Sequence, residues 1–169
     1  MMIVRHENAG DAAGIRRVNE MAFDTVVEAK LVDKLRERGM VTFSLVAIDV
    51  EQIVGHILFS PVTIESGGRQ FPALGLGPMA VLPEFQNRGI GSRLVITGLD
   101  ECRQAGHESV VVVGHPEYYP RFGFIPASRF GLRCEYDVPD EVFMALELHE
   151  GALSERAGLV RYQPEFNEA

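Results

Sequence analysis

Pro83-Glu84-Phe85-Gln86-Asn87-Arg88-Gly89-Ile90-Gly91-Ser92-Arg93 lies between an apolar run that reads as a strand and an apolar stripe at helical spacing, and as the opening of a helix it is badly composed. Glycine inside a helix costs about 1 kcal/mol relative to alanine. Arg88 and Arg93 oppose the positive end of the helix dipole, where acids belong, and the first acid of the helix is Asp100. Both faults become advantages if an anion sits on the helix end, because glycines let it reach bare N–H groups and arginines then attract it. An exposed basic turn whose glycines only permit close packing is the plainer reading. The succession of strand, turn, two glycines and two arginines favours the anion, and the anion this geometry suits is a phosphate.

Outward from the turn, the chain reads as a series of strands with three helices among them. Ahead of it, Phe71 to Leu82 reads as a strand interrupted by Gly75, Gly77 and Pro78, which predicts a bulge or a gap in pairing. Behind it, Ile90, Leu94, Val95, Leu99 and Cys102 mark a helix from Asn87 to Ala105 that ends at Gly106. Ser109 to Val113 is a continuous β-branched run, as in a strand covered on both faces. Nearer the start, a short strand at Ile3 to Arg5 precedes a helix to about Phe23, capped by Asn8 or Asp11, and a second helix at Val26 to Arg38 stops at Gly39. Phe43 to Ile48 and Ile53 to Ile64 read as a hairpin, with a turn at Ser66 to Gly68. After the buried strand come an aromatic segment at Tyr118 to Phe124, a strand at Phe143 to Leu148 and a weaker one near Leu159 to Tyr162.

Composition narrows the function. The 169 residues fit one domain, 1–169, and the absence of biased tracts or linkers fits a globular chain. The formal charge of -8 repels nucleic acid. Cys102 and Cys134 form no CxxC pair and have no histidine cluster beside them, so neither a disulfide framework nor a metal site is expected, and reduced thiols fit a cytoplasmic protein. The apolar stretch within Met1 to Asp11 is too short for a signal peptide and no later apolar run approaches the length of a bilayer span, so no membrane partner is expected. Two nucleotide signatures fail. The Walker lysine is absent, and Gly75-Leu76-Gly77-Pro78-Met79-Ala80 matches the dinucleotide fingerprint but runs into Leu82-Pro83 where that fingerprint needs a helix.

Gln86-Asn87-Arg88-Gly89-Ile90-Gly91 resembles the Q/R-x-x-G-x-G/A signature of the GNAT superfamily of N-acetyltransferases. Met79-Ala80-Val81 before it, Val110 to Val113 after the helix, and Tyr119-Pro120-Arg121-Phe122-Gly123-Phe124, similar to the family's Tyr-x-x-x-Gly-Phe element, extend the likeness. The resemblance follows the order of elements to about Leu148, with its motifs between Leu74 and Phe124. Residues 149–169 form an extension holding at most the weak last strand. It implies an α/β fold: a mixed, mostly antiparallel sheet with helices on both faces and two splayed central strands.

The implied activity is transfer of acetyl from acetyl-CoA, as co-substrate and without a metal, to a primary amine on a small molecule or peptide, by direct attack on the thioester. A homodimer is compatible with that reading. Carried over residue by residue, Met79, Ala80 and Val81 pair with the pantetheine arm, and Gln86, Asn87, Arg88, Gly89, Ile90, Gly91 and Ser92 take the pyrophosphate. Tyr118, Tyr119 and Phe122 border the thioester. The backbone N–H of Met79 would hold the oxyanion, and Tyr119 would protonate the departing thiolate. Tyr118 stands beside it as a rival, and ordinary aromatic packing is the alternative for both. The strand ahead of the turn carries no acid, so a water chain or another residue must serve as the general base. Glu84, Glu28, His56 and His115 are the candidates, with surface acids and ordinary hydrogen-bonded histidines as the alternative reading of each. His115-Pro116 departs from the family's usual asparagine. Cys102, on the apolar stripe, reads as a core residue rather than an acyl carrier. The alternative function is a catalytically inactive acyl-CoA sensor with the same turn.

Overall fold

The computed structural model describes residues 2–168. They fold as two compact units. The first holds the chain up to Ser60, Gly77–Gly98 and the segment from Pro164 onward, and the second holds Pro61–Leu76 and Leu99–Gln163.

In the first unit, β1 (Met2–His6) pairs antiparallel with β2 (Phe43–Asp49), and β2 pairs antiparallel with β3 (Gln52–Ser66). Between β1 and β2 lie α1 (Ala12–Phe23) and α2 (Val27–Glu37). Successive residues of a strand face opposite sides, and β3 uses both. A Cβ on Gly55 would lie 3.0 Å from Leu94 and 3.2 Å from Ile90, so this side meets α3 (Ile90–Gln104). Leu58, on the other side, packs with Ile15 of α1 and Leu31, Val32 and Leu35 of α2. Helices therefore cover both faces of β3. At Gly98 a Cβ would sit 2.5 Å from the Phe59 ring, so the α3 backbone rests directly on that side chain.

In the second unit, the part of β4 (Arg69–Val81) up to Leu76 runs parallel to β5 (Ser109–Val113), from Leu74 opposite Val110 to Leu76 opposite Val112, while the rest of β4 belongs to the first unit. β8 (Phe143–Glu147) is antiparallel to β5 and to the short β6 (Ile125–Pro126). β9 (Gly158–Arg161) pairs antiparallel with β3 and parallel with β7 (Leu132–Cys134). Val62, Val111, Phe143, Ala145 and Val160 form its core. Mixed but mostly antiparallel pairing, with helices on both faces, is the architecture expected from the sequence.

One boundary and two short strands differ from expectation. The central helix begins at Ile90 rather than Asn87, because Asn87 (φ 63°) and Gly89 (φ 80°) are left-handed and cannot belong to a right-handed helix. Pro83–Phe85 forms a separate 3-10 turn ahead of it. The short β6 and β7 were not expected, since two or three residues carry no periodic signal.

Candidate functional site

The turn Gln86–Gly89 is exposed, and α3 starts immediately behind it. Arg93 N–H donates to the Gly89 carbonyl at 3.1 Å. The N–H groups of Ile90 and Gly91 lie ahead of that bond and have no partner inside the helix, which is the general basis of an anion site at a helix start. The Gln86 side chain donates from Nε2 to the Val81 carbonyl at 3.0 Å, and Leu82 N–H donates to the Val54 carbonyl at 2.9 Å. The end of β4, with Met79, Ala80 and Val81, is thereby fastened to the turn. Gln86 is a strut, and its side chain is committed to the protein itself.

The two arginines differ. The Arg88 guanidinium lies 5.2 Å from the centre of the Phe85 ring, whereas Arg93 donates from Nη1 to the Met2 carbonyl at 3.1 Å. The Ile90 side chain is buried against β3, so only its backbone faces the start of the helix as a donor.

In the second unit the aromatic residues converge. Tyr119 opens a 3-10 helix, Tyr119–Phe122, that Gly123 ends, and Tyr119 is 7% exposed. Its ring meets Tyr118 at 5.1 Å and Phe124 at 5.7 Å between centroids, both nearly perpendicular, and Phe122 at 6.4 Å. The Arg121 guanidinium lies 4.8 Å from the centre of the half-buried Tyr118 ring, which also meets Phe122 at 5.2 Å. Burial pushes the Tyr119 phenol well above the ordinary tyrosine range, with a smaller push from Tyr118. The phenol stays protonated at every pH at which the protein would work.

His56 is fully buried, and both ring nitrogens are engaged. The roles follow from the carboxylate at the end of the network. Arg36 donates from Nε and Nη2 to the two Glu7 oxygens at 2.9 and 3.1 Å, and Ser44 Oγ donates to Glu7 Oε1 at 2.5 Å. Burial alone would raise Glu7, but these hydrogen bonds outweigh it and hold the carboxyl below its usual range. Because the serine proton goes to Glu7, Ser44 Oγ accepts from His56 Nε2 at 2.9 Å, and Nδ1 accepts from Asn19 Nδ2 at 3.2 Å. Burial draws His56 down to about 4. It is a neutral tie between β3, β2 and α1, and it does not match the general base considered for it.

The other base candidates separate cleanly. Glu84 and His115 are exposed, and the His115 carbonyl accepts the N–H groups of Tyr118 and Tyr119 at 3.1 and 3.4 Å. Glu28, in the first turn of α2, has its Oε1 out of water without a hydrogen-bond partner. Cys102 is buried and its thiol is pushed up to about 12 by burial; Cys134 is half-buried and also raised by burial. Among the described residues, no group of three His, Cys, Asp or Glu side chains could hold a metal, and no helix is long and apolar enough to cross a membrane.

A family model for the acetyltransferase (GNAT) domain matches residues 4–127, which contain both the turn and the aromatic segment. The chain belongs to the GNAT acetyltransferase family. It is 38% identical over 167 residues to the uncharacterised N-acetyltransferase YhbS of Escherichia coli K12, covering 98% of this chain and 99% of that one. The crystal structure of Escherichia coli YhbS in complex with CoA superposes with a TM-score of 0.93 at 38% identity, covering 98% of this chain and 92% of that chain. A GNAT family acetyltransferase from Brucella melitensis in complex with acetyl-CoA gives a TM-score of 0.82 at 37% identity, with 98% of each chain covered. For a GNAT acetyltransferase, the turn and the tyrosine are the parts of this chain that sequence had singled out. Sequence reasoning missed the Glu7–Ser44–His56–Asn19 network. Its members lie far apart in the chain and share no motif.

Proposed function

We propose that this protein is an N-acetyltransferase that moves the acetyl group of acetyl-CoA to a primary amine by direct attack on the thioester. Three things support the reading: family membership, CoA or acetyl-CoA in the two similar structures, and a turn suited to a pyrophosphate. The observation that carries the chemistry is the buried Tyr119 phenol, which keeps its proton through the working pH range.

An alkyl amine with a pKa of about 10.4 must shed a proton before or during attack. Of the groups weighed as base, Glu28 keeps a carboxylate oxygen buried and unpartnered, so an ammonium donor would satisfy it and hand over its proton. Attack on the carbonyl carbon makes a tetrahedral oxyanion, stabilised by the Met79 N–H on the β4 segment behind Pro78, which itself has no N–H to offer. Collapse breaks the carbon–sulfur bond, Tyr119 delivers its proton to the leaving thiolate, and the excess proton on the newly acylated nitrogen passes through water to restore the phenol. A raised phenol is a weaker acid in water, but the same loss of water raises the basicity of the thiolate, so the proton still has a favourable destination. Gln86 to Ser92 would hold the pyrophosphate by backbone, with Arg88 adding charge.

Thiol release from acetyl-CoA, scored over amino-terminal peptides, lysine, polyamines and amino acids, tests this reading, with coenzyme A binding followed by thermal shift. Binding together with acylation of one class supports it. Tight binding with no amine acylated in the whole panel would establish the sensor instead.

A further inference from the structure

We propose that Gly114 is a positioning residue for Tyr119, setting where the phenol stands by having no side chain; the inference rests on Tyr119 as the acid. Gly114 follows β5 directly, and its N–H donates to the Val142 carbonyl at 2.9 Å, so its backbone is pinned to the sheet. A Cβ there would lie 2.4 Å from Tyr119 Cε2, 2.9 Å from Cδ2 and 3.4 Å from Cζ, the atom that carries the hydroxyl. The ring lies across the bare Cα.

Nothing else accounts for glycine at this position, because its φ is not in the left-handed region and most residues could adopt its backbone. The ring has little room to give way. Phe124, 1% exposed, stands at 5.7 Å from the ring, and Tyr118 at 5.1 Å. Ordinary carbon contacts begin near 3.4 Å, so a methyl group at Gly114 drives the phenol aside by about an ångström, a displacement that can cost about 100-fold in rate. Gly114 touches no reacting atom. It acts through the position of one oxygen.

The test is a cycle of Gly114→Ala, Tyr119→Phe and the double variant, read as thiol release from acetyl-CoA with the best amine of the panel and with water as acceptor. Both reactions expel the same thiolate. Gly114→Ala should lower kcat about 10- to 100-fold while the coenzyme A thermal shift is unchanged, and should add little in the Tyr119→Phe background. Crystal structures of both single variants should show the ring displaced in Gly114→Ala and unmoved in Tyr119→Phe. Phe124→Leu is a second approach that adds no atoms: loosening another contact of the ring should also lower kcat only when Tyr119 is present. If Tyr119→Phe keeps full activity, the acid role fails. If Tyr119→Phe is impaired but Gly114→Ala is fully active, or its ring has not moved, or its loss is as large without the hydroxyl, the positioning role is overturned and the acid role stands.

Discussion

The Gln86–Ser92 turn and the Tyr118–Phe124 segment are both short and irregular, yet they prepare opposite kinds of chemistry. The turn is exposed and offers backbone: left-handed Asn87 and Gly89 bring the chain to a helix start whose first N–H groups have no partner within the helix. The aromatic segment offers one buried side chain, Tyr119, in nearly perpendicular contact with its neighbours. A site built from backbone depends on φ and tolerates many side chains. A site built from a buried side chain depends on a single oxygen and on what keeps water away. The difference teaches where each should be vulnerable.

The largest effect is expected at the oxygen. Tyr119→Phe should lower kcat about 100- to 10,000-fold, the usual range for a lost general acid, with coenzyme A affinity nearly unchanged. Tyr118→Phe should change kcat far less. Thiol-release kinetics on both variants check this, and an equal loss in both would dissolve the distinction between the two rings.

Burial should act on His56 as it does on Tyr119, favouring the uncharged form in each. The folded-state value near 4 lies below the unfolded value of about 6.5, so the unfolded chain takes up a proton first as pH falls. Stability from this residue is complete above about pH 6.5 and is lost between there and about pH 4, amounting to about 3 kcal/mol. Urea melts from pH 8 to pH 4 on the parent and His56→Gln check it. The variant should show a flatter slope across that window, and an unchanged slope would mean that His56 titrates normally.

Gly89→Val tests the backbone side. Nothing stands within 4 Å of a Cβ at Gly89, so the fold should survive, while φ of 80° penalises a β-branched residue by about 1–2 kcal/mol. Relaxing that strain moves the N–H groups, and the thermal shift given by saturating coenzyme A should disappear. Gly89→Ala should keep part of it. Full retention in Gly89→Val would transfer the binding role away from the turn.

The smallest effect is expected at Gln86→Ala, which removes one strut between the turn and Val81. About 1 kcal/mol should be lost from coenzyme A binding, a several-fold change by titration calorimetry, with kcat nearly constant.

What the sequence disclosed divides along the same line. The turn was legible because its faults are local: glycines and arginines at a helix start conflict with propensity within a few residues. The exact start of α3 was not legible, since an asparagine in left-handed conformation looks like any other polar residue until its φ is known. The α1 and α2 segments were plain from periodicity and β3 and β5 from their β-branched content, while β6 and β7 were too short to show either. Tyr119 could be named only through a motif, and Gly114 carried no signal at all, because its reason for being glycine is a ring that reaches it through the fold. His56 was visible as a histidine but not as a tie, since its partners at Asn19, Ser44 and Glu7 obey no spacing rule.

The state of the two cysteines has a practical side for anyone following the reaction by colour. Disulfide reagents react with thiolate, and a thiol titrating near 12 supplies almost none at neutral pH. Cys134 is displaced in the same direction and is only half accessible. The folded protein should therefore be nearly silent toward such a reagent, and the chromophore that develops will count coenzyme A. A slow rise in the enzyme-only blank would report opening of the fold, so the same cuvette serves as both an activity assay and a gauge of integrity.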